Sequence, residues 1–126
     1  PGVVSGCFRQ TIESDRPIYR LLEWANFMRV RCTGLAYGDQ GIFVRRALFL
    51  REGGFPALAL MEDLFLMRRL RQRGRIVILP CRVHVSARRW KQAGVVRQTL
   101  RNLIFTALAF SGVHPDRLAR YYPHLR

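Results

Sequence analysis

Among 126 residues there is a single lysine, Lys91, and only 8 acidic side chains stand against 22 basic ones. Arginine therefore supplies nearly all of a formal charge of +14. Cysteine is sparse too: Cys7, Cys32 and Cys81 are odd in number, widely separated, and without a CxxC pair or a histidine at metal-ligand spacing. That excludes a disulfide scaffold and a zinc module, and the expectation is three reduced, mostly buried thiols. No basic start followed by an apolar stretch and a small-residue cleavage site occurs, so secretion is not expected. The uncharged run 102–115 is too short to span a bilayer. Internal repeats and low-complexity segments are absent. So are the RNP-like aromatics and the zinc-finger, helix-turn-helix and GXXG signatures of nucleic-acid modules.

What is there suits one domain. A chain with 49% hydrophobic and 24% charged positions is neither disordered nor collagen-like, and it is too short for two ordinary domains. It can bury roughly two-thirds of the surface its unfolded form exposes. The positive surface wants an anion: nucleic acid, an acidic lipid surface, or the phosphates of a smaller ligand. Arginine favours planar, bidentate contacts to phosphate or carboxylate, although high-GC coding bias produces the same skew. The chain opens at Pro1 and reaches Val3 and Val4 almost at once, from which a piece of a longer protein is expected.

Residues 3–12 mix β-branched and aromatic residues with polar ones around Gly6, which predicts a strand with a bulge. Ser14 and Asp15 offer cap oxygens ahead of Pro17, and Ile18, Leu21, Leu22, Ala25 and Met28 recur at helical spacing, predicting an amphipathic helix over 16–31. Two glycines bracket Asp39 and Gln40 before a short strand at Ile42 to Val44. A short helix ends at Gly53, Gly54 and Pro56, and Leu60, Leu64, Met67 and Leu70 mark another that Gly74 closes. Ile76 to Leu79, ending at Pro80, reads as a strand buried on both faces, with a second extended piece at Arg82 to Ser86. Helix is expected from Arg88 through Phe110, and a last short one from Pro115 and Asp116 that carries Leu118, Tyr121 and Tyr122. The sum is an α/β layered domain with a few-stranded mixed sheet, a thin sheet better suited to joining further strands.

Glu62 and Asp63 open the helix that runs to Gly74. Acids in a first helical turn interact favourably with the helix dipole by about 0.3 to 1 kcal/mol each and need no other reason to be there. Yet the residues three and four positions on are Phe65, Leu66 and Met67, so neither acid has a local arginine partner. Two carboxylates flanked by large apolar side chains suit a partly dry pocket, where burial raises a carboxyl pKa and a base for a hydroxyl proton can be held.

The segments GDQGIFVRRALFLREGGFP, MEDLFLMRRLRQRGRIVILP and SARRW resemble the carboxyl-terminal half of a family 2 glycosyltransferase. They are most like the small bacterial subgroup associated with radical-SAM and selenodomain proteins. The resemblance runs from Val3 to the tyrosines near the end, and its specificity lies in combining an acidic pair after GGFP with RRW further on. It implies the GT-A fold and an inverting transfer from a nucleotide-sugar donor to an acceptor hydroxyl. Residues 1–87 would be the acceptor-side half of the catalytic domain and 88–126 a helical extension. The amino-terminal nucleotide-binding half would lie outside this chain, which alone would be inactive. The same resemblance makes Asp63 the general base and Glu62 a group that orients it or touches the acceptor. Gly38, Asp39 and Gln40 would line the sugar and acceptor cleft, a role for which a simple polar turn between glycines is the alternative.

Arg88, Arg89 and Trp90 resemble a QxxRW-type element, with Ser86 where relatives carry glutamine. An arginine fork stabilises charge on a departing diphosphate, and an indole face accommodates a sugar. A core tryptophan with two solvated arginines is the alternative. The family's divalent metal, Mg or Mn, is held by a DxD motif that does not occur here, and His84 would add a metal ligand. His114 and His124 belong to no constellation. The expected location is the cytoplasm, as a protein peripheral to the inner face of the membrane. Two further readings compete. One is a basic module for nucleic acid or an anionic membrane. The other concerns Val95 to Phe110, apolar over much of its circumference, with Arg88, Arg89, Lys91 and Arg97 before and at its start. That stretch fits an anionic bilayer, and packing over the core or a homodimer partner explains it as well.

Overall fold

Val3–Glu13 forms strand β1, which takes a neighbour on each side. The computed structural model describes residues 2–58 and 60–120. Phe43–Val44, strand β2, pairs with β1 antiparallel, and Arg75–Ser86, strand β3, pairs with it parallel. The result is an α/β structure whose three-stranded mixed sheet runs β2-β1-β3. By contacts the chain divides into two compact units, Pro1–Pro56 with Asp63–Ser86, and Ala57–Glu62 with Ala87–Arg126.

In the first unit Gly6 sits in regular pairing, opposite Phe43 on one side and Val77 on the other. A Cβ there would lie 2.5 Å from the Val77 carbonyl oxygen and 2.5 Å from the Phe43 ring. The glycine is needed for close approach, so the bulge expected at Gly6 is found elsewhere. One irregularity lies between Val3 and Ser5, the other between Phe8 and Arg9, whose partners are Leu79 and Arg82. Pro80 and Cys81 are the residues left out of that register. Proline has no N–H to offer a ladder, and a bulge on an outer strand tolerates it. Consequently β3 is one strand of 12 residues rather than two pieces. It is also the edge of this sheet, so Ile76, Val77 and Ile78 are only half-buried, against the expectation of burial on both faces.

Helix α1 spans Pro17–Thr33. Proline at its first position fixes a helical φ and gives up an N–H that would be unpaired anyway, and Arg16 rather than Ser14 or Asp15 occupies the cap, without a side-chain bond. Gly34, at φ 72°, ends it by sending its N–H to the Val30 carbonyl. Helix α2, Arg46–Arg51, and helix α3, Glu62–Arg71, complete the unit. Leu66, Met67 and Leu70 of α3 pack with Val30, Leu48 and Cys7 into one buried cluster. Cys7 alone of the three free thiols is buried; Cys32 and Cys81 are exposed, which corrects the expectation that most would be inside.

The second unit is helical. Gly94, at φ 84° and ψ 138°, divides the expected continuous helix into α4, Arg88–Ala93, and α5, Val95–Phe110. Helix α6, Pro115–Ala119, follows with His114 as its cap, the imidazole accepting from the Asp116 N–H at 3.2 Å. Leu118 is buried as its spacing suggests, while Tyr121, Tyr122 and His124 lie outside the described residues.

Candidate functional site at the carboxyl end of the central strand

Ligands of open α/β sheets gather outside the carboxyl ends of their strands. At that end of β1 the structure assembles a polar chain that crosses three elements. Asp39 accepts a hydrogen bond on Oδ2 from the Gln10 amide at 3.0 Å, and Gln10 Oε1 accepts from the Asn26 amide at 2.6 Å. Asn26 Oδ1 accepts from Arg29 Nη1 at 2.7 Å. Arg29 also donates through Nη2 to Gln40 Oε1 at 2.6 Å and through Nε to the Leu35 carbonyl at 3.0 Å. Its guanidinium carbon stands 3.7 Å from the centroid of the Tyr37 ring. One arginine thus fixes the end of α1, the loop after it and the Gly38–Gln40 turn, a 3₁₀ helix.

Why an arginine serves here follows from its shape: a planar fork with donors in several fixed directions and a face that stacks on an aromatic ring. Burial pushes the Arg29 guanidinium down from its ordinary pKa, opposed by Tyr37, Asp39, Cys7 and Asp63. Both carboxylates therefore lie in the field of one cation.

Asp63 is tied to the same turn. Its Oδ2 accepts from the Gly38 N–H at 2.6 Å and its Oδ1 from the Leu64 N–H at 2.8 Å. The second bond satisfies a donor of the first turn of α3, and the first joins that helix to the turn 25 residues earlier.

Of the residues singled out in the sequence, the structure brings Gly38, Asp39, Gln40 and Asp63 together. Gly38 and Asp39 are exposed and Asp63 is half-buried. Gln40 is 2% exposed, and its amide oxygen is taken by Arg29 and by the Tyr37 N–H at 3.1 Å. It holds the turn from inside. Glu62, the first residue of α3, is exposed and not in a dry pocket. The residue before it, Met61, adopts φ 64°, a left-handed backbone that costs a non-glycine residue about 1–3 kcal/mol. This sharp entry is why α3 starts at Glu62 and leaves out Leu60, which the spacing had included.

His84 is exposed on β3 and pairs with Thr11. Among the described residues no three His, Cys, Asp or Glu side chains come together to hold a metal ion. Arg88 and Arg89 are exposed and Trp90 half-buried at the start of α4, in the second unit. A cavity of about 340 Å³ lies at the opposite, amino end of β1, lined by Val3, Val4, Arg45, Arg51 and Arg73 among others, and none of the singled-out residues borders it. The sequence reading missed Gln10, Asn26, Arg29 and Tyr37. The available signal was the polar spacing Glu23, Asn26 and Arg29 on α1, three residues apart, on a helix whose apolar stripe drew the attention.

Comparison of the chain with protein-family models, with curated proteins and with solved structures finds no match.

Proposed function

We propose that this chain is the acceptor-side half of an inverting glycosyltransferase of the GT-A type, with Asp63 as the general base. The reading is supported chiefly by one arrangement: a half-buried carboxylate, held through both oxygens by backbone N–H groups, beside a turn that exposes Asp39. A base must be fixed within about 2.6–3.2 Å of the proton it takes, and a side chain with two backbone anchors meets the positional half of that demand. In the proposed step Asp63 accepts the proton of the acceptor hydroxyl. The hydroxyl oxygen forms a bond to the anomeric carbon of the donor sugar, and the bond from that carbon to the diphosphate breaks with its electron pair leaving on the diphosphate. Inversion follows from attack opposite the leaving group. Asp39, positioned by Gln10, offers the acceptor a second hydrogen-bond acceptor. Arg29 holds the turn that carries Asp39 and faces no substrate in this scheme.

The resemblance in residues 38–56, 61–80 and 86–90 supplies the reaction class, and with it the proposal that Arg88, Arg89 and Trp90 serve the leaving group and sugar. The test uses the chain together with its nucleotide-binding half, reading release of nucleoside diphosphate from a panel of nucleotide-sugars. Asp63→Asn is expected to lower transfer about 10²- to 10⁴-fold, with nucleotide-sugar affinity unchanged. An amide cannot accept on its nitrogen, so one backbone bond is lost as well, at about 1 kcal/mol. A melting curve therefore accompanies the assay. Retained turnover in a folded Asp63→Asn variant removes Asp63 from the base role, and Arg89→Lys lowering stability as much as rate assigns Arg89 to the fold.

A further inference from the structure

Helix α5 is turned inside out. Its polar residue Gln98 is 3% exposed, while Val96, Leu100, Leu103 and Ile104 are each at least 52% exposed and Leu108 is 38% exposed. At about 100° per residue these five aliphatic positions fall on one face of the helix. Among the described residues nothing encloses these five side chains.

The charged residues of α4 and α5 are all basic, and Asp116 on α6 and Glu62 are the acids of this unit. Val95–Phe110 contains no acidic residue, and exposed Arg97 lies on the edge of the apolar face. Helix α4, packed against α5, adds the exposed Arg88, Arg89 and Lys91. A face of this composition has one well-matched occupant. A second copy meeting it face to face would oppose the same cations in a molecule that carries +14 already. Nucleic acid would satisfy the arginines and leave five aliphatic side chains in water. An anionic bilayer satisfies both, because acyl chains accept the stripe and headgroups accept the guanidinium groups.

We propose that α5 is an interfacial helix that docks this chain on an anionic lipid surface, its axis in the plane of the headgroups and Leu100 and Ile104 at the centre of the buried face. The helix lies on the membrane and does not cross it: its 16 residues span about 24 Å, and among the described residues no helix is long and apolar enough to traverse a bilayer. This goes beyond the proposed transfer reaction and holds whether or not Asp63 is a base.

The test is co-sedimentation of the full 126-residue chain with extruded vesicles of pure phosphatidylcholine and of phosphatidylcholine containing roughly a third phosphatidylglycerol, at physiological salt. Binding is expected to be at least about tenfold stronger to the anionic vesicles. Leu100→Ser combined with Ile104→Ser is expected to reduce it at least about tenfold, and Arg97→Gln alone about fivefold. Far-UV circular dichroism and melting confirm that the double variant folds. If it does not, Val96→Ser with Leu103→Ser probes the same face. Absence of vesicle binding overturns the proposal, as does equal binding to neutral and anionic vesicles. Undiminished binding by a folded stripe variant shows charge attraction alone and overturns it too. Light scattering that finds a dimer dissolved by the stripe variant gives the face to a second copy instead.

Discussion

Helices α1 and α3 both reach the buried cluster around Cys7, and they do so with opposite chemistry. From α3, Leu64, Leu66, Met67 and Leu70 are at most 2% exposed, a continuous apolar face. From α1 only Tyr19 and Val30 are buried; between them Glu23, Asn26 and Arg29 turn inward, and Leu21 and Trp24 point out with more than half their surface exposed. Each inward polar group is engaged: Glu23 accepts the Ile12 N–H at 2.7 Å, and Asn26 and Arg29 carry the chain to Asp39 and Gln40. Apolar contact holds a helix in place without directing any particular atom. Hydrogen bonds through a forked cation fix directions, and the helix that carries them is the one beside the exposed Asp39. The contrast between α3 as packing element and α1 as positioning element is the structural basis for placing the candidate site where we do.

The strongest test of that contrast removes Arg29. Arg29→Met keeps the volume and takes away three donors, leaving the Leu35 carbonyl, Asn26 Oδ1 and one lone pair of Gln40 Oε1 without their partner. A loss of about 3–4 kcal/mol is expected in urea unfolding. Leu70→Ala, the corresponding cut on α3, is expected to cost about 2–5 kcal/mol through the cavity it opens. The two differ in kind: Arg29→Met also frees the 38–40 turn, so amide exchange at Gly38 to Gln40 accelerates, while Leu70→Ala leaves it protected relative to global unfolding. Equal protection loss in both variants would erase the distinction between the helices.

Element type and order were readable from the sequence because periodicity and punctuation report them locally. Pro17, Gly53 and Gly54 stand at or beside helix ends, and the acids at 62 and 63 do begin a helix. Direction was not readable. The stripe Ile18, Leu21, Leu22, Ala25, Met28 is a sound helical signal, yet it does not say which side faces the sheet, and on α1 the polar Glu23, Asn26 and Arg29 turn inward while Leu21 and Ala25 are exposed. Gln10, Asn26 and Arg29 become a unit only through pairings across 16 residues or in three dimensions, and the one mark on Arg29 is its three-residue spacing from Asn26 and Glu23. Asp39 and Asp63, by contrast, were visible as acids in a basic chain. Their meeting through Gly38 was not, since Gly38 and Asp63 lie 25 residues apart in the chain.

Cys7 reports on the balance between the two helices. Burial pushes its thiol up to about 11, and Arg29 pulls in the other direction. The pKa is raised in the folded state, so the native chain keeps a proton that the unfolded chain gives up. The associated stability is complete below the ordinary thiol range and is lost as pH rises toward about 11. Urea midpoints measured across the alkaline range should therefore fall for the wild type and flatten in Cys7→Ala. A flat wild-type profile would mean that the thiol is less enclosed by α3 than its burial indicates.

The smallest expected effect is also the most direct check on which way α1 faces. Leu21 is 57% and Trp24 58% exposed, so Leu21→Ser and Trp24→Ser are expected to change unfolding free energy by no more than about 0.5 kcal/mol each. The same replacement at buried Val30, 3% exposed, removes a core contact and places a hydroxyl against apolar neighbours. Helix propensity does not account for the difference, because serine is close to valine and tryptophan on that scale. A large loss at Trp24 together with a small one at Val30 would mean that α1 is rotated by about half a turn. Arg29 would then point to solvent, and the chain from Asp39 through Gln10 and Asn26 would have no anchor.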